Sequence, residues 1–135
     1  MGPEALRILI VDDHEDSAEM LSMLLTGKGH TTRMALDGTA ALAVAAAFQP
    51  HVGLLDLSLP GMSGYELAEQ LRAMPGLSHI RLVAVTGHGS DTHRAKARAA
   101  GFTEHLLKPV DLDVIDALLE SVRRTVSQTR GSQAG

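Results

Sequence analysis

Four strand-length runs each break off at a residue that can do chemistry. Arg7-Ile8-Leu9-Ile10-Val11 stops at Asp12, and His51-Val52-Gly53-Leu54-Leu55 stops at Asp56. Ile80 to Val85 stops at Thr86, and the shorter Glu104 to Leu107 stops at Lys108. A continuous apolar run predicts a strand buried on both faces, as in a parallel sheet. His30 to Leu36 predicts one more strand.

Helical patterns fill the gaps between these runs. From about Asp16 to Lys28, Ala18, Leu21, Leu24 and Leu25 fall on one helical face, and Gly27 and Gly29 supply a stop. Asp37-Gly38 leads into an Ala-rich helix from Thr39 to Phe48, closed by Pro50. Pro60-Gly61 and Ser63-Gly64 break the chain before a helix from about Tyr65 to Ala73. Asp91 to Ala100 predicts a helix with only Ala on its apolar face. Asp111 can cap a last one whose stripe is Leu112, Ile115, Leu119, Val122 and Val126. About five βα units around a parallel sheet fit this alternation.

Composition narrows the class. With 135 residues, one domain is expected. Aromatic residues are only 2% and Trp is absent, so the core must be aliphatic. Without Cys there are no disulfides, thiolate metal sites or cysteine nucleophiles. No apolar run approaches the roughly 18 residues of a membrane span. The start Met-Gly-Pro-Glu lacks the pattern of a secretory signal, so a cytoplasmic location is expected. A net charge of −4 argues against a nucleic-acid surface, and the basic clusters are short: Arg94, Lys96 and Arg98, then Arg123 and Arg124. The tail from Ser127 to Gly135 is polar and expected to fray.

In an open α/β sheet the carboxyl ends of the strands share one edge, where ligands bind. Asp12, Asp13, Asp56, Thr86 and Lys108 would therefore meet in one crevice. Clustered carboxylates repel unless a cation joins them, and oxygen donors without Cys or paired His suit Mg2+, Mn2+ or Ca2+ better than zinc. Lys108 and Thr86 then make sense as phosphate ligands. Singly, each residue has a plainer reading: Asp12 or Asp13 as a helix-cap acid, Thr86 as a strand-end residue, Lys108 as a loop lysine, Gly87 and Gly89 as turn residues. The combination at four independent strand ends carries the argument. Most of the seven His residues read as solvated, with His14 and His88 near the predicted site.

The motifs Leu9-Ile10-Val11-Asp12-Asp13, Leu54-Leu55-Asp56-Leu57-Ser58-Leu59-Pro60-Gly61-Met62-Ser63-Gly64, Ala84-Val85-Thr86-Gly87 and Leu107-Lys108-Pro109 resemble the response regulator receiver domain of two-component signalling. The likeness covers about residues 6 to 124 in the expected order, leaving 125–135 as tail with no output domain expected. The resemblance implies a doubly wound α/β fold, a five-stranded parallel sheet of order 2-1-3-4-5, flavodoxin-like and CheY-like. It implies that Asp56 accepts a phosphoryl group from the phosphohistidine of a sensor histidine kinase or histidine phosphotransfer domain. Asp12, Asp13, Asp56 and the Ser58 backbone carbonyl would hold Mg2+, with Mn2+ as a substitute. Thr86 and Lys108 would bind phosphoryl oxygens, with Gly87, His88 and Pro109 nearby. Such a domain catalyses only its own phosphorylation and dephosphorylation. It switches effector contact or dimerisation through helix 4, strand 5 and helix 5. One departure is His105, at a switch position that the family usually gives to Tyr or Phe.

Three other readings are weaker. A Mg2+-dependent phosphohydrolase with an Asp nucleophile would carry a second acid where Ser58 stands. A nucleotide or flavin binder would need a Gly- or Ser/Thr-rich loop after the first strand, where this chain has Asp12-Asp13-His14-Glu15-Asp16. An interaction-only module would not need the complete set of Asp56, Thr86 and Lys108.

Overall fold

The computed structural model describes residues 5–87, 91–108 and 110–134, with side chains described for 5–87, 94–108 and 110–125. Five strands and five helices alternate: β1 (Arg7–Val11), α1 (Glu15–Gly27), β2 (Thr31–Ala35), α2 (Gly38–Phe48), β3 (Val52–Asp56), α3 (Gly64–Ala73), β4 (Arg81–Thr86), α4 (Asp91–Ala100), β5 (Glu104–Leu107) and α5 (Leu112–Ala134). The strands form one parallel sheet in the order β2-β1-β3-β4-β5. This is the architecture that the resemblance implies.

Alternate side chains of each strand feed two separate cores. Leu9, Val11, Leu55, Leu82 and Ala84 pack on one face with Ala41 and Ala45 of α2, Leu67 and Leu71 of α3, and Ala97 and Ala100 of α4. Ile8, Ile10, Val52, Leu54, Val83 and Val85 pack on the other with Ala18 and Leu25 of α1 and Ile115, Leu119 and Val122 of α5. Helices on both faces explain why the central strands lack polar alternation. At about 25 cal/mol per Å2 of apolar surface, the Leu and Ile contacts of α5 outweigh the methyl contacts of α4.

Local signals set the helix starts. Asp37 caps α2 by accepting a hydrogen bond from the Ala40 backbone N–H at 2.8 Å. The Ser63 hydroxyl accepts from the Glu66 N–H at 3.2 Å, so Ser63-Gly-Tyr-Glu66 starts α3 as well as breaking the chain before it. Register then fixes the crevice. Val11 stands beside Leu55, Asp56 beside Val85, and Thr86 beside Leu107, so Asp12, Asp56, Thr86 and Lys108 all reach the same sheet edge.

Two expectations are corrected. Leu24 is exposed, because at 100° per residue it falls on the flank of the stripe formed by Ala18, Leu21 and Leu25. His30 is buried, not solvated: its Nδ1 accepts the Leu6 N–H at 3.2 Å, closing the space between the starts of β1 and β2. The backbone of α5 is helical to Ala134. No Pro interrupts that stretch, and propagation adds one hydrogen bond for each residue fixed.

Candidate functional site

Asp56 ends β3 in the interior, with 5% of its surface exposed. The two oxygens of its carboxylate are held separately. Oδ1 accepts the Ser58 backbone N–H at 2.9 Å, and Oδ2 accepts from the Lys108 ammonium at 2.9 Å. The turn after Asp56 has little room. A Cβ added at Gly64 would lie 2.6 Å from the Asp56 carbonyl oxygen and 2.7 Å from the Leu57 Cα. Only glycine lets α3 begin this close to the strand end.

Asp12 follows β1 and is also buried. Its Oδ1 accepts the His14 backbone N–H at 2.9 Å, while its Oδ2 lies 3.6 Å from Lys108 Nζ. Asp13, beside it, is more exposed. Two carboxylates buried side by side are costly unless a cation compensates them, and Lys108 reaches both. Burial alone would depress the Lys108 ammonium. The hydrogen bond to Asp56 and the charges of Asp56 and Asp12 outweigh it and hold the group above the ordinary lysine value.

One oxygen each from Asp12, Asp13 and Asp56, with a ring nitrogen of His14, lie within 4.8 Å of one another. Three hard carboxylate donors in that space fit a divalent cation of the Mg2+ class, which takes oxygen ligands and keeps water in its shell. The sequence placed His14 near the site but not within this group. Its position as N-cap residue of α1, two after Asp12, turns Nδ1 to 3.3 Å from Asp12 Oδ1 and 3.2 Å from Asp13 Oδ1.

Thr86 is buried at the end of β4, and its carbonyl accepts the Lys108 N–H at 2.9 Å, tying the phosphate-binding candidates together. Gly87 is exposed, and a Cβ there would meet nothing within 4 Å among the described residues. Ser58 is exposed and contributes the N–H already described. His105 is half-buried on β5 opposite Ala84 and lines a shallow cavity of about 230 Å3 with Arg94, Ala97, Arg98 and Phe102. His88 and Pro109 lie outside the described residues. No described helix is long and apolar enough to cross a membrane.

The family model of the response regulator receiver domain matches residues 8–120. Response regulator PleD of Caulobacter vibrioides is 35% identical over 118 residues, which is 87% of this chain and 26% of that protein. The DNA-binding response regulator MtrA of Mycolicibacterium paratuberculosis is 45% identical over 80 residues, 59% of this chain and 36% of that one. The chain thus spans well under half the length of these relatives. Among solved structures, the chemotaxis protein CheY4 of Vibrio cholerae superposes with a TM-score of 0.83 at 27% identity, covering 88% of this chain and 99% of that one.

Proposed function

The chain belongs to the response regulator receiver domain family, and from that membership we propose that it accepts a phosphoryl group on Asp56 from the phosphohistidine of a sensor histidine kinase or histidine phosphotransfer domain. The observation that carries the reading is the buried Asp56 carboxylate, fixed at Oδ1 by Ser58 and at Oδ2 by Lys108, within 4.8 Å of the acids of the first strand end.

Asp12, Asp13, Asp56 and the Ser58 backbone carbonyl would hold Mg2+, or Mn2+ in its place. When bound, the metal would supply positive charge between the carboxylates and the phosphoryl oxygens. The remaining work falls to the chain. A carboxylate oxygen of Asp56 attacks phosphorus in line. The P–N bond to the donor imidazole breaks, and its electron pair leaves on that nitrogen. No general base is required, because an aspartate is ordinarily ionised near pH 7. Lys108 balances charge on the transferred group, and the Thr86 hydroxyl donates to one of its oxygens. The domain acts on itself alone, as a signalling phosphoacceptor.

Once Asp56 is phosphorylated, Thr86 would be drawn toward the new oxygens and the His105 side chain toward the space it leaves. That would alter the surface of α4, β5 and α5, where an effector or a second copy binds. His105 is smaller and more polar than Tyr, so its inward state gains less from burial and the coupling is weaker. Transfer from a labelled phosphohistidine donor to the wild type and to Asp56→Asn tests the core of this reading. Label should move to the wild type and not to the variant; equal labelling of both would refute it.

A further inference from the structure

The opposite edge of the sheet carries an open cleft of about 670 Å3, within the size range of small-ligand sites. Arg7, Arg72, Arg81, His51 and His79 line it, and among the described residues no Asp or Glu does. Arg7 opens β1, His51 precedes β3 and Arg81 opens β4. The cleft therefore mirrors the acidic site: strand starts supply cations here, as strand ends supply acids there. In a chain of net charge −4 this separation runs against the overall balance.

A structural role accounts for part of the set. Arg7 Nε donates to the carbonyls of Phe48 and Gln49, at 3.1 and 2.9 Å, at the end of α2. Arg72 donates to Ser78 O at 3.2 Å and to Gly101 O at 2.7 Å, just beyond α4. Both are cations at helix C-termini, where the carbonyls favour positive charge. This leaves the two terminal amino groups of Arg7 without a hydrogen bond inside the described residues. Arg81 makes no side-chain hydrogen bond among the described residues, and its ion pair there, with Glu104 at 3.8 Å, is too long for one. A guanidinium offers five donors in a planar fork that matches phosphate bidentately. The bonds to Phe48 and Gln49 hold Arg7 in place before any ligand arrives, which lowers the ordering cost of binding.

We propose that this cleft binds a small phosphorylated metabolite bearing at least two anionic groups, gripped by the terminal amino groups of Arg7 and the guanidinium of Arg81. Pro50 and Ile80, both buried and lining the cleft, give its less polar part a surface. The site is independent of phosphoryl transfer to Asp56.

The test is a titration of the isotope-labelled chain with inorganic phosphate, pyrophosphate and ATP, without divalent cation, followed through backbone amide shifts. The acidic edge repels anions under these conditions. Saturable shifts should centre on Arg7, His51, Ser78, Arg81 and Thr103. Pyrophosphate should bind at least about fivefold tighter than phosphate, since a second anionic group engages a second fork. Arg81→Gln should weaken pyrophosphate binding by a similar factor. The ratio of pyrophosphate to phosphate affinity is read in the wild type and needs no variant to fold. Shifts that never saturate, shifts centred on Asp12 and Asp56, equal affinity for phosphate and pyrophosphate, or undiminished binding by folded Arg81→Gln would each overturn the proposal.

Discussion

The Lys108 ammonium donates to Oδ2 of Asp56 at 2.9 Å, so the residue that follows the last strand neutralises the one that ends the third. The Asp56 carboxylate is buried and the lysine reaches it from a partly exposed position. Removing the lysine separates two roles. Lys108→Met should slow phosphorylation by on the order of 10^2, the usual loss for one charge-stabilising donor. Mg2+ affinity should hold or rise, because a competing cation has gone. Acetyl phosphate labelling rates and Mg2+ titrations of the variant check both. A fall in metal affinity matching the fall in rate would mean that Lys108 builds the metal site.

Asp13 is the more exposed member of the acid pair, yet its oxygen belongs to the same 4.8 Å group. Asp13→Ala should weaken Mg2+ by on the order of tenfold, since a small cation held by few carboxylates loses much with each one. Stability should change little. An unchanged titration would move the metal elsewhere.

Gly64 and Gly87 flank the site under opposite constraints. A Cβ at Gly64 meets backbone at 2.6 Å, whereas one at Gly87 meets nothing within 4 Å among the described residues. Gly64→Ala should destabilise the fold by about 1–3 kcal/mol through forced backbone movement, and Gly87→Ala by well under that. Urea unfolding of both variants gives the comparison. Equal midpoints would show that the turn after Asp56 yields freely.

His30 makes stability depend on pH. Burial, reinforced by the positive charge of Arg123, lowers its pKa from the ordinary histidine value. The neutral ring also accepts the Leu6 N–H at Nδ1, which a proton on that atom would block. A depressed pKa means that the unfolded chain takes the proton first. The contribution is therefore full above about pH 6.5, the ordinary histidine value, and is lost as pH falls below it toward the folded pKa. Urea unfolding between pH 7.5 and 5 should show this decline, and His30→Asn, which keeps an acceptor without a titrating ring, should flatten it. Parallel curves for the two proteins would remove His30 as the cause.

α4 buries Ala97 and Ala100, while α5 buries Ile115, Leu118, Leu119 and Val122. Amide exchange should be fastest in α4 and in the turns of α5 beyond Ser127, and slowest at Ile115 to Val122. Protection of α4 equal to that of Ile115–Val122 would contradict the packing argument.

The sequence announced most of this architecture because each strand stops where its chemistry begins. β1 at Val11 and β4 with Thr86 follow directly from apolar runs and the polar residues that end them. The meeting of Asp12, Asp13, Asp56, Thr86 and Lys108 at one sheet edge was legible for the same reason. Contacts between distant segments were not. His30 meets Leu6 across 24 positions, and no local pattern marks a histidine that accepts a backbone N–H. The narrow space at Gly64 depends on how closely α3 returns to β3, so the glycine reads only as a turn residue. Arg7 and Arg81, at strand starts, and Arg72, in the last turn of α3, are scattered along the chain and gather only in the folded sheet.

The central claim is that Asp56 is the phosphoacceptor. Incubating the chain with acetyl phosphate and Mg2+, trapping the acyl phosphate by borohydride reduction, and mapping the reduced residue by peptide mass spectrometry tests it most directly. The expected result is one phosphoryl group per chain, dependent on Mg2+, with reduction confined to Asp56 and absent in Asp56→Asn. Reduction mapped to Asp12 or Asp13, or undiminished phosphorylation of Asp56→Asn, would contradict it.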